Sequence, residues 1–235
     1  MTHKVARILG AAIALASPVF CAQGAELGFY VGGNYGNGSK DIGIASYDQF
    51  ALSVYNAFGF VPGNNPGDNV SSIDLDNPGY GFVAGYRLFA HLAVEGGYMD
   101  LGRFRYRADS NVTFTDNNGN TQASALDLSA NSRTAGFALT ALGILPLSYR
   151  WEVYGRAGFM FSSNELTLFL TDGVGARKDT FTGSSTDLLA GVGTSLSFAE
   201  IYTLRGEYQR VFDAGDDTVG EGDVDLITLG VTVRF

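Results

Sequence analysis

The stretch that decides the fold is Ile227-Thr228-Leu229-Gly230-Val231-Thr232-Val233-Arg234-Phe235, the last nine residues of the chain. It alternates apolar side chains with small or polar ones and stops on an aromatic residue. Because successive side chains of a β-strand point to opposite faces, the odd-numbered residues share an apolar face and the even-numbered residues share the other. Such a strand is typical of a position between lipid and water.

Seven further segments alternate in the same way, at residues 27–35, 80–88, 92–98, 137–145, 151–161, 188–198 and 202–208. Eight is the smallest usual strand number of a transmembrane barrel, and an even number leaves both chain ends on one side. The sequence therefore predicts an all-β fold, an eight-stranded antiparallel transmembrane β-barrel with short periplasmic turns and long extracellular loops.

The connections between these segments alternate between short and long. Short turns are expected at 89–91, 146–150 and 199–200, and Pro146 cannot donate to a strand ladder. The long connections near 37–78, 105–130, 163–184 and 213–223 are rich in Asn, Asp, Gly, Ser and Thr, which is typical of solvated loops. The alternation of Leu166, Leu168 and Leu170 indicates that the fifth strand projects beyond the membrane before a turn at Asp172-Gly173.

The first long connection also contains a helical pattern. Apolar residues recur at helical spacing from Tyr47 to Phe58 and predict a short amphipathic helix. We expect this helix to cap the barrel mouth or pack on its rim. The alternative is a role in contacting a ligand or the membrane.

The amino-terminal segment reads as a signal peptide. Lys4 and Arg7 precede an apolar run at 8–16, which is shorter than the roughly 20 residues of a membrane-spanning helix. We predict a signal peptide at 1–24 and a barrel domain at 25–235. Lipidation of Cys21 is the alternative, although the bulky Phe20 before it disfavours that processing. A cut after Gly24 would leave no cysteine, so the barrel would need no disulfide.

Charge and composition narrow the function classes. The formal charge is −9, and losing the two cations of the signal peptide would take it to −11, which argues against nucleic acid as a partner. With 46% hydrophobic and 17% charged residues the chain could pass for a soluble protein. A barrel has this composition because only alternate strand residues need to be apolar. The region after the signal peptide has no long apolar run, so no helical membrane spans are expected.

Charged residues on the polar faces of the strands are the candidate site. In a narrow barrel they would pair across the interior and close it, because an isolated buried charge costs several kcal/mol. The alternative is an ion path through the lumen. The candidate lumen residues are Arg87, Glu95, Glu152, Arg156, Arg205, Glu207 and Arg234.

No residues point to catalysis. His91 is the only histidine after the signal peptide, and it falls in a predicted periplasmic turn. No His/Cys cluster with zinc spacing occurs, and residues 116–120 lack the glycine position and the terminal Glu of a calcium loop. We therefore predict no catalytic residues, no metal and no cofactor. A lipid-modifying barrel enzyme is the less favoured alternative.

Two segments resemble the barrel domain of the outer membrane protein A family. Residues 92–98 (LAVEGGY), followed by Leu101-Gly102-Arg103, are similar to its third strand, and residues 204–208 (LRGEY) to its seventh. The resemblance covers about 25–235 and implies a small outer-membrane barrel. It suggests a gated ion path for Glu95 and Arg205, but the segments 136–146 and 188–198 lack the charges of two gate partners. Since the chain stops at Phe235, the family's peptidoglycan-binding domain is not expected.

The sequence thus predicts a non-enzymatic outer-membrane barrel that is structural or interacts with partners through extracellular loops. A narrow pore for ions or small solutes is the alternative. A soluble ligand-carrying barrel would place its apolar face inside, whereas aromatic residues near the strand ends favour lipid girdles. Expected partners are outer-membrane lipid and lipopolysaccharide, the barrel-assembly machinery acting on the carboxyl-terminal Phe235, and an extracellular ligand or host surface.

Overall fold

The computed structural model describes residues 27–40, 44–57, 59–62, 69–74, 76–115, 119–171, 175–198, 201–215 and 222–235. The predicted signal peptide at 1–24, the turn at Asp172-Gly173 and the turn at 199–200 lie outside these ranges. Within them the chain forms β1 (Gly28–Lys40), α1 (Ile44–Ala57), β2 (Val61–Pro62), β3 (Asn69–Asp74), β4 (Asp76–Phe89), β5 (Leu92–Thr115), β6 (Thr121–Pro146), β7 (Trp151–Thr171), β8 (Ala176–Phe198), β9 (Tyr202–Ala214) and β10 (Gly222–Arg234).

Eight of these strands close into an antiparallel barrel. The order around the ring is β1-β4-β5-β6-β7-β8-β9-β10, and β10 returns to β1 through a register that runs from Tyr30↔Arg234 to Lys40↔Val224. Closure pairs each barrel strand on both sides and removes sheet edges from the ring. The predicted eight-stranded barrel is confirmed.

The outer wall of the barrel is apolar. Phe29, Phe137 and Leu229 leave about two thirds of their surfaces exposed, at 67%, 67% and 68%. Most other apolar residues of the predicted outward faces are exposed in the same belt, and a few are half-buried, so the assignment of faces from the sequence is confirmed. None of the helical structure in the described ranges has the length and hydrophobicity that a membrane-spanning helix requires.

The two ends of the barrel differ. One end, here called the turn end, holds Gly28, Phe235 and the short connections at 90–91 and 147–150. The strand β6 stops at Pro146, as the sequence predicts. At the other end, the extended end, β5 to β8 continue for 24, 26, 21 and 23 residues in all. A transmembrane strand needs only about 9–11 residues, so these four strands project well beyond the apolar wall.

This projection corrects the prediction of solvated loops. Most of 105–130 and 163–184 is paired strand, β2 and β3 occupy part of 37–78 and pair with β5, and β9 and β10 enter 213–223. The polar Asn, Asp, Ser and Thr residues that suggested loops alternate with buried residues such as Tyr106, Leu128 and Leu166. A strand with one solvated face has the polar composition of a loop, but its buried face keeps the period of two.

The predicted helix is confirmed and lies over the extended end. Ala51 and Tyr55 of α1 are 3% and 1% exposed, and they pack among inward residues of the projecting strands. The hydroxyl of Tyr106 donates to Asp48 Oδ1 at 2.7 Å, and Ser110 Oγ donates to the Tyr55 hydroxyl at 3.3 Å. We call this assembly of α1, β2, β3 and the projecting parts of β5 to β8 the extension.

Candidate functional site

The lumen contains two layers of ion pairs. Near the turn end, Arg87 of β4 reaches Glu152 of β7 with Nη2–Oε1 2.8 Å and Nη1–Oε2 3.1 Å. Arg87 Nη2 also donates to the carbonyl of Ala90 at 2.6 Å. Two parallel bonds between a guanidinium and a carboxylate fix both side chains, so this layer is a rigid crossbar.

Glu95, Arg156, Arg205 and Glu207 form a second layer, here called the central cluster. Glu95 pairs with Arg156 and with Arg205, the latter at 2.5 Å. Glu207 Oε1 lies 2.9 Å from Arg156 Nε, and its Oε2 lies 3.6 Å from Arg205 Nη2. The four side chains are 1–11% exposed, so each charge is compensated by its neighbours rather than by water.

Two tyrosines complete the central cluster. The Tyr30 hydroxyl donates to Glu95 Oε1 at 2.7 Å, and the Tyr154 hydroxyl donates to Glu207 Oε2 at 2.9 Å. Each ring lies across a glycine on the paired strand: a Cβ at Gly85 would come within 2.3 Å of the Tyr30 ring, and one at Gly193 within 2.4 Å of the Tyr154 ring. These glycines make the slots through which the hydroxyls reach the carboxylates.

The sequence analysis did not include Tyr30 or Tyr154 among the candidate lumen residues. The signal was a tyrosine on a lumen face with a glycine facing it across the strand pair. Pairing register is needed to see it, because Gly85 and Gly193 are far from their tyrosines in the chain. Gln209 is also fully buried beside the cluster and accepts from Arg156 Nη1 at 3.1 Å.

Arg234 and Phe235 lie outside both layers. Arg234 lines a cavity of about 70 Å³ at the turn end, which Arg87, Glu152 and Arg205 also line. The side chain of Phe235 is 81% exposed, and its backbone N–H donates to the Phe29 carbonyl at 3.0 Å. The structure thus brings six of the seven predicted lumen residues into ion pairs and places the seventh at the rim of the cavity.

An apolar layer lies between the central cluster and the extended end. Its members are 9% exposed or less and come from six strands of the barrel. They are Met99, Leu101, Phe104, Ala138, Met160, Leu189, Val211, Ala214, Val224 and Leu226. Buried apolar side chains pack closely in protein interiors, and this layer lies across the lumen.

A buried polar group lies at the extended end of the lumen. Ser162 and Ser185 donate to Asp187 Oδ2 at 2.7 and 2.9 Å, and Asn164 Nδ2 donates to Ser185 Oγ at 3.2 Å. Lys40, 2% exposed, lies beyond Tyr35, the last large apolar residue on the outer face of β1. Burial lowers the pKa of Lys40 to about 8, against the opposing attraction of Asp187. The sequence analysis missed this group because these residues stand at the margins of the predicted loops.

A small cavity and an exposed histidine complete the geometry of the lumen and the turn end. The cavity beside Arg156, Arg205 and Glu207 measures about 10 Å³, at the lower limit for a single water. His91 is exposed at the turn end, where its Nδ1 lies 3.1 Å from the carbonyl of Ile144. In the part of the chain that the structure describes, no three His, Cys, Asp or Glu residues are grouped to hold a metal ion.

A closed eight-stranded barrel with an apolar outer wall and a charged lumen defines the class of small outer-membrane barrels. The chain belongs to the OmpA-like transmembrane domain family, whose model matches residues 24–235. The resemblance to this family inferred from two strands is therefore confirmed. Proteins of this family are bacterial outer-membrane proteins, and in such barrels the short turns belong to the periplasmic side and the longer connections to the outside. No curated protein sequence matches the chain.

Solved structures with a similar fold include three outer-membrane proteins. Ail of Yersinia pestis, in complex with the heparin analogue sucrose octasulfate, is 12% identical with a TM-score of 0.41 and covers 88% of this chain and 99% of its own. Neisserial surface protein A is 14% identical with a TM-score of 0.43, covering 88% and 97%. The protease OmpT of Escherichia coli is 11% identical with a TM-score of 0.40, covering 89% and 94%.

Proposed function

We propose that this protein is a non-enzymatic, non-conducting outer-membrane barrel that acts through its outer surface and its extension. The observation that supports the proposal most is the filling of the lumen. An ion crossing it would have to pass the Arg87–Glu152 crossbar, the central cluster and the apolar layer in succession. Conduction would require all three to rearrange together.

Energetics favour a closed lumen over a gated path. Separating a buried ion pair costs about 3–5 kcal/mol when one partner is left uncompensated. In the central cluster each carboxylate pairs with two guanidiniums and accepts from a tyrosine, so one displacement disturbs several bonds at once. The apolar layer offers no polar group to replace the hydration shell of an ion. The ion pairs and the apolar layer therefore favour a closed lumen over the alternative, a narrow pore.

Conductance in planar lipid bilayers tests this part of the proposal. We expect the refolded chain to give no single-channel currents above those of a protein-free bilayer, at voltages where a porin in the same apparatus conducts. Stable unitary currents would replace the closed barrel with the pore.

The extension is the surface offered to partners outside the cell. It presents a helix, two accessory strands and four projecting strands to the medium, while its interior is packed. A rigid projecting sheet suits recognition of an extracellular ligand or a host surface because little ordering is needed on binding.

Assembly would proceed by export, removal of residues 1–24, and recognition of Phe235 by the barrel-assembly machinery.

Shortening the tip of the extension tests the surface role. Replacing residues 114–122 by Asn-Gly joins Thr113 to Ala123, which face each other across the β5–β6 pair. We expect bacteria that express this variant to adhere less to cultured epithelial cells than bacteria with the intact chain, at equal barrel levels in the outer membrane. The matched control joins Ser148 to Trp151 at the periplasmic turn by replacing residues 149–150 with Asn-Gly. Unchanged adhesion of the tip variant would contradict a role of the tip in adhesion.

A further inference from the structure

Four arginines lie together on the outward face of the extension. A β-bulge on β5 shifts the register with β6 between Asp100 and Arg103, and Gly102 there has φ +96°. The extra residue turns the odd-numbered side chains outward, so Arg103, Arg105 and Arg107 are exposed while Phe104 and Tyr106 are buried. Arg133 of β6 pairs directly with Arg103 across the strands. We call these four residues the arginine patch.

The arginine patch is not explained by the fold. Like charges directly opposite each other on two strands destabilise the pairing, and Arg103 faces Arg133 in this way. Arg133 is compensated by Asp100, which its Nε reaches at 3.0 Å, and Arg105 Nε donates to Asn131 Oδ1 at 2.9 Å. Asp74 and Glu165 are the strand neighbours of Arg105 and Arg133. Among the described residues, Arg103 and Arg107 have neither an ion pair nor a hydrogen bond to a side chain.

The patch stands directly beyond the lipid-facing wall. Tyr98, the outward aromatic residue before the bulge, lies with its ring centroid 5.7 Å from that of Phe137. Aromatic side chains of this kind mark the level of the lipid headgroups. The guanidiniums of β5 and β6 therefore begin where the acyl chains of the outer leaflet end.

A depression in the outer wall adjoins the patch. It has a volume of about 640 Å³ and opens sideways across β6, β7 and β8. Phe137 and Phe161 line its membrane side, and its outward side is lined by Arg133, Ser163, Glu165 and Ser184. The small side chain of Ala135 leaves the space between them. An occupant would thus meet aromatic rings at one end and hydroxyl groups, the Arg133 guanidinium and the Glu165 carboxylate at the other.

Elsewhere on the outer wall the cations near this level are neutralised. Arg210 of β9 reaches Asp225 with Nη2–Oδ2 2.5 Å and Asp223 with Nη1–Oδ2 3.5 Å. On β1 the outward residues beyond Tyr35 are Asn37 and Ser39. Within the described part of the chain, uncompensated cations and a wall depression coincide at the β5–β7 sector.

We propose that the arginine patch and this depression bind the phosphorylated headgroup of an outer-leaflet glycolipid of the lipid A type. Guanidiniums pair with phosphate oxygens through two parallel bonds, and cations next to a membrane surface attract anionic headgroups. The serine hydroxyls bind the sugar, and the aromatic rings contact the first methylenes of the acyl chains. The inference rests on the proposed membrane position of the barrel but not on adhesion through the extension tip.

Native mass spectrometry of the detergent-folded full chain tests this site. The probes are bisphosphorylated lipid A, dephosphorylated lipid A and phosphatidylglycerol, each titrated onto the protein. The charge variant is Arg103→Gln/Arg107→Gln, which spares the Arg133–Asp100 pair. Its matched control is Arg150→Gln/Lys178→Gln, two exposed cations away from the depression. A second variant, Ala135→Trp, fills the depression without a change of charge.

We expect one high-affinity lipid A per chain, weakened at least fivefold by the charge variant and by Ala135→Trp but less than twofold by the control. Dephosphorylated lipid A should bind as weakly as lipid A binds to the charge variant. Equal affinity for lipid A and phosphatidylglycerol would mean general attraction to anionic lipid and would overturn the glycolipid site. Competition of soluble sucrose octasulfate at equal concentration with lipid A would overturn it in favour of a sulfated sugar.

Discussion

Arg205 touches more of the lumen network than any single pair suggests. Its guanidinium carbon lies 4.6 Å from the centre of the Tyr154 ring, its Nε donates to the Tyr154 hydroxyl at 3.1 Å, and its terminal nitrogens face Glu95 and Glu207. It is therefore held by charge, hydrogen bond and ring together. Such a residue fixes the relative positions of the strands that carry its partners.

Arg205→Ala should destabilise the folded barrel without opening it. The change leaves Glu95 and Glu207 with Arg156 as their common cation, and breaking a buried pair costs about 3–5 kcal/mol. We expect the heat-resistant, fast-migrating form in detergent to be lost at a lower temperature, with no new conductance. Arg103→Ala, which removes an exposed arginine, is the control and should leave the transition unchanged. Full stability together with a new single-channel current would contradict the closed lumen.

Lys40 should make stability depend on pH above neutrality. Its pKa of about 8 in the folded chain is below the usual 10.5, so between these values the unfolded chain binds the extra proton. Stability therefore rises with pH through this window, which begins near pH 8. The urea midpoint of the wild type should increase from pH 7.5 to 9.5 relative to that of Lys40→Met. Parallel profiles of the two proteins would show that folding does not lower the pKa of Lys40.

At the residue scale, the sequence predicted charges on the lumen face but not their contacts. Residues Glu95, Arg205 and Glu207 could be assigned because a charge on the polar side of an apolar strand has few other places to go. Which carboxylate meets which guanidinium depends on strand stagger, which no local pattern encodes. Strand stagger also decides the space beside each lumen residue: Thr228 is 3% exposed and lines the cavity of about 10 Å³ beside the central cluster, so a larger side chain has no room there.

At the scale of elements, α1 and the projecting strands stabilise each other. The helix is not part of the sheet, and its buried face is covered by inward residues of β5, β6 and β7. Tyr55 is the largest fully buried side chain of that face. The helix is thus held to the extension chiefly by side-chain packing.

Tyr55→Ala should release α1 while leaving the barrel folded. Removing a large buried aromatic side chain costs about 3–5 kcal/mol, and the loss falls on the helix contact rather than on the strand ladders. We expect proteinase K added to intact cells to cut within 44–57 in this variant faster than in the wild type. Heat-modifiable migration in detergent should be unchanged. Leu52→Ala, at a 43% exposed position of the same helix, is the control and should digest like the wild type.

The strands of the extension were harder to recognise from the sequence than the membrane-crossing strands. The membrane-crossing parts were recognised because lipid demands apolar side chains on every second residue. Beyond the lipid the outward face can take any polar residue, so Ser129, Asn131 and Arg133 hide the alternation of their buried neighbours. The helix was recognisable because aromatic residues recur on one of its faces. The short strands β2 and β3 carry too few residues for any period.

At the scale of the whole molecule, depth in the membrane decides what the outer wall tolerates. Leu229 lies in the middle of the apolar belt on β10, and Ser39 lies on the same outer wall of the adjacent β1, beyond Tyr35. Both positions face outward. They differ in distance from the membrane centre.

Leu229→Arg should impair folding into lipid, whereas Ser39→Arg should not. An arginine on the lipid face costs roughly 2–4 kcal/mol at the membrane centre and little near its surface. Ser39 is also the strand partner of Asp225, which would attract the new cation. The fraction of chain that folds into phosphatidylcholine vesicles, scored by heat-modifiable migration, is the measurement. Equal yields for the two variants would contradict the placement of the membrane.

The bulge on β5 shifts the alternation of inward and outward side chains by one residue. Deleting Gly102 would remove this shift and move every later side chain of the strand to the opposite face of the sheet. The arginines would enter the packed interior and Phe104 would point to water, although the composition would change by a single glycine. Inserting one residue just after Arg103 should return the later side chains to their original faces. Spectroscopy that reports on the packing of α1 could follow this recovery. At this position the number of residues in the strand, rather than their identity, decides which side chains face outward.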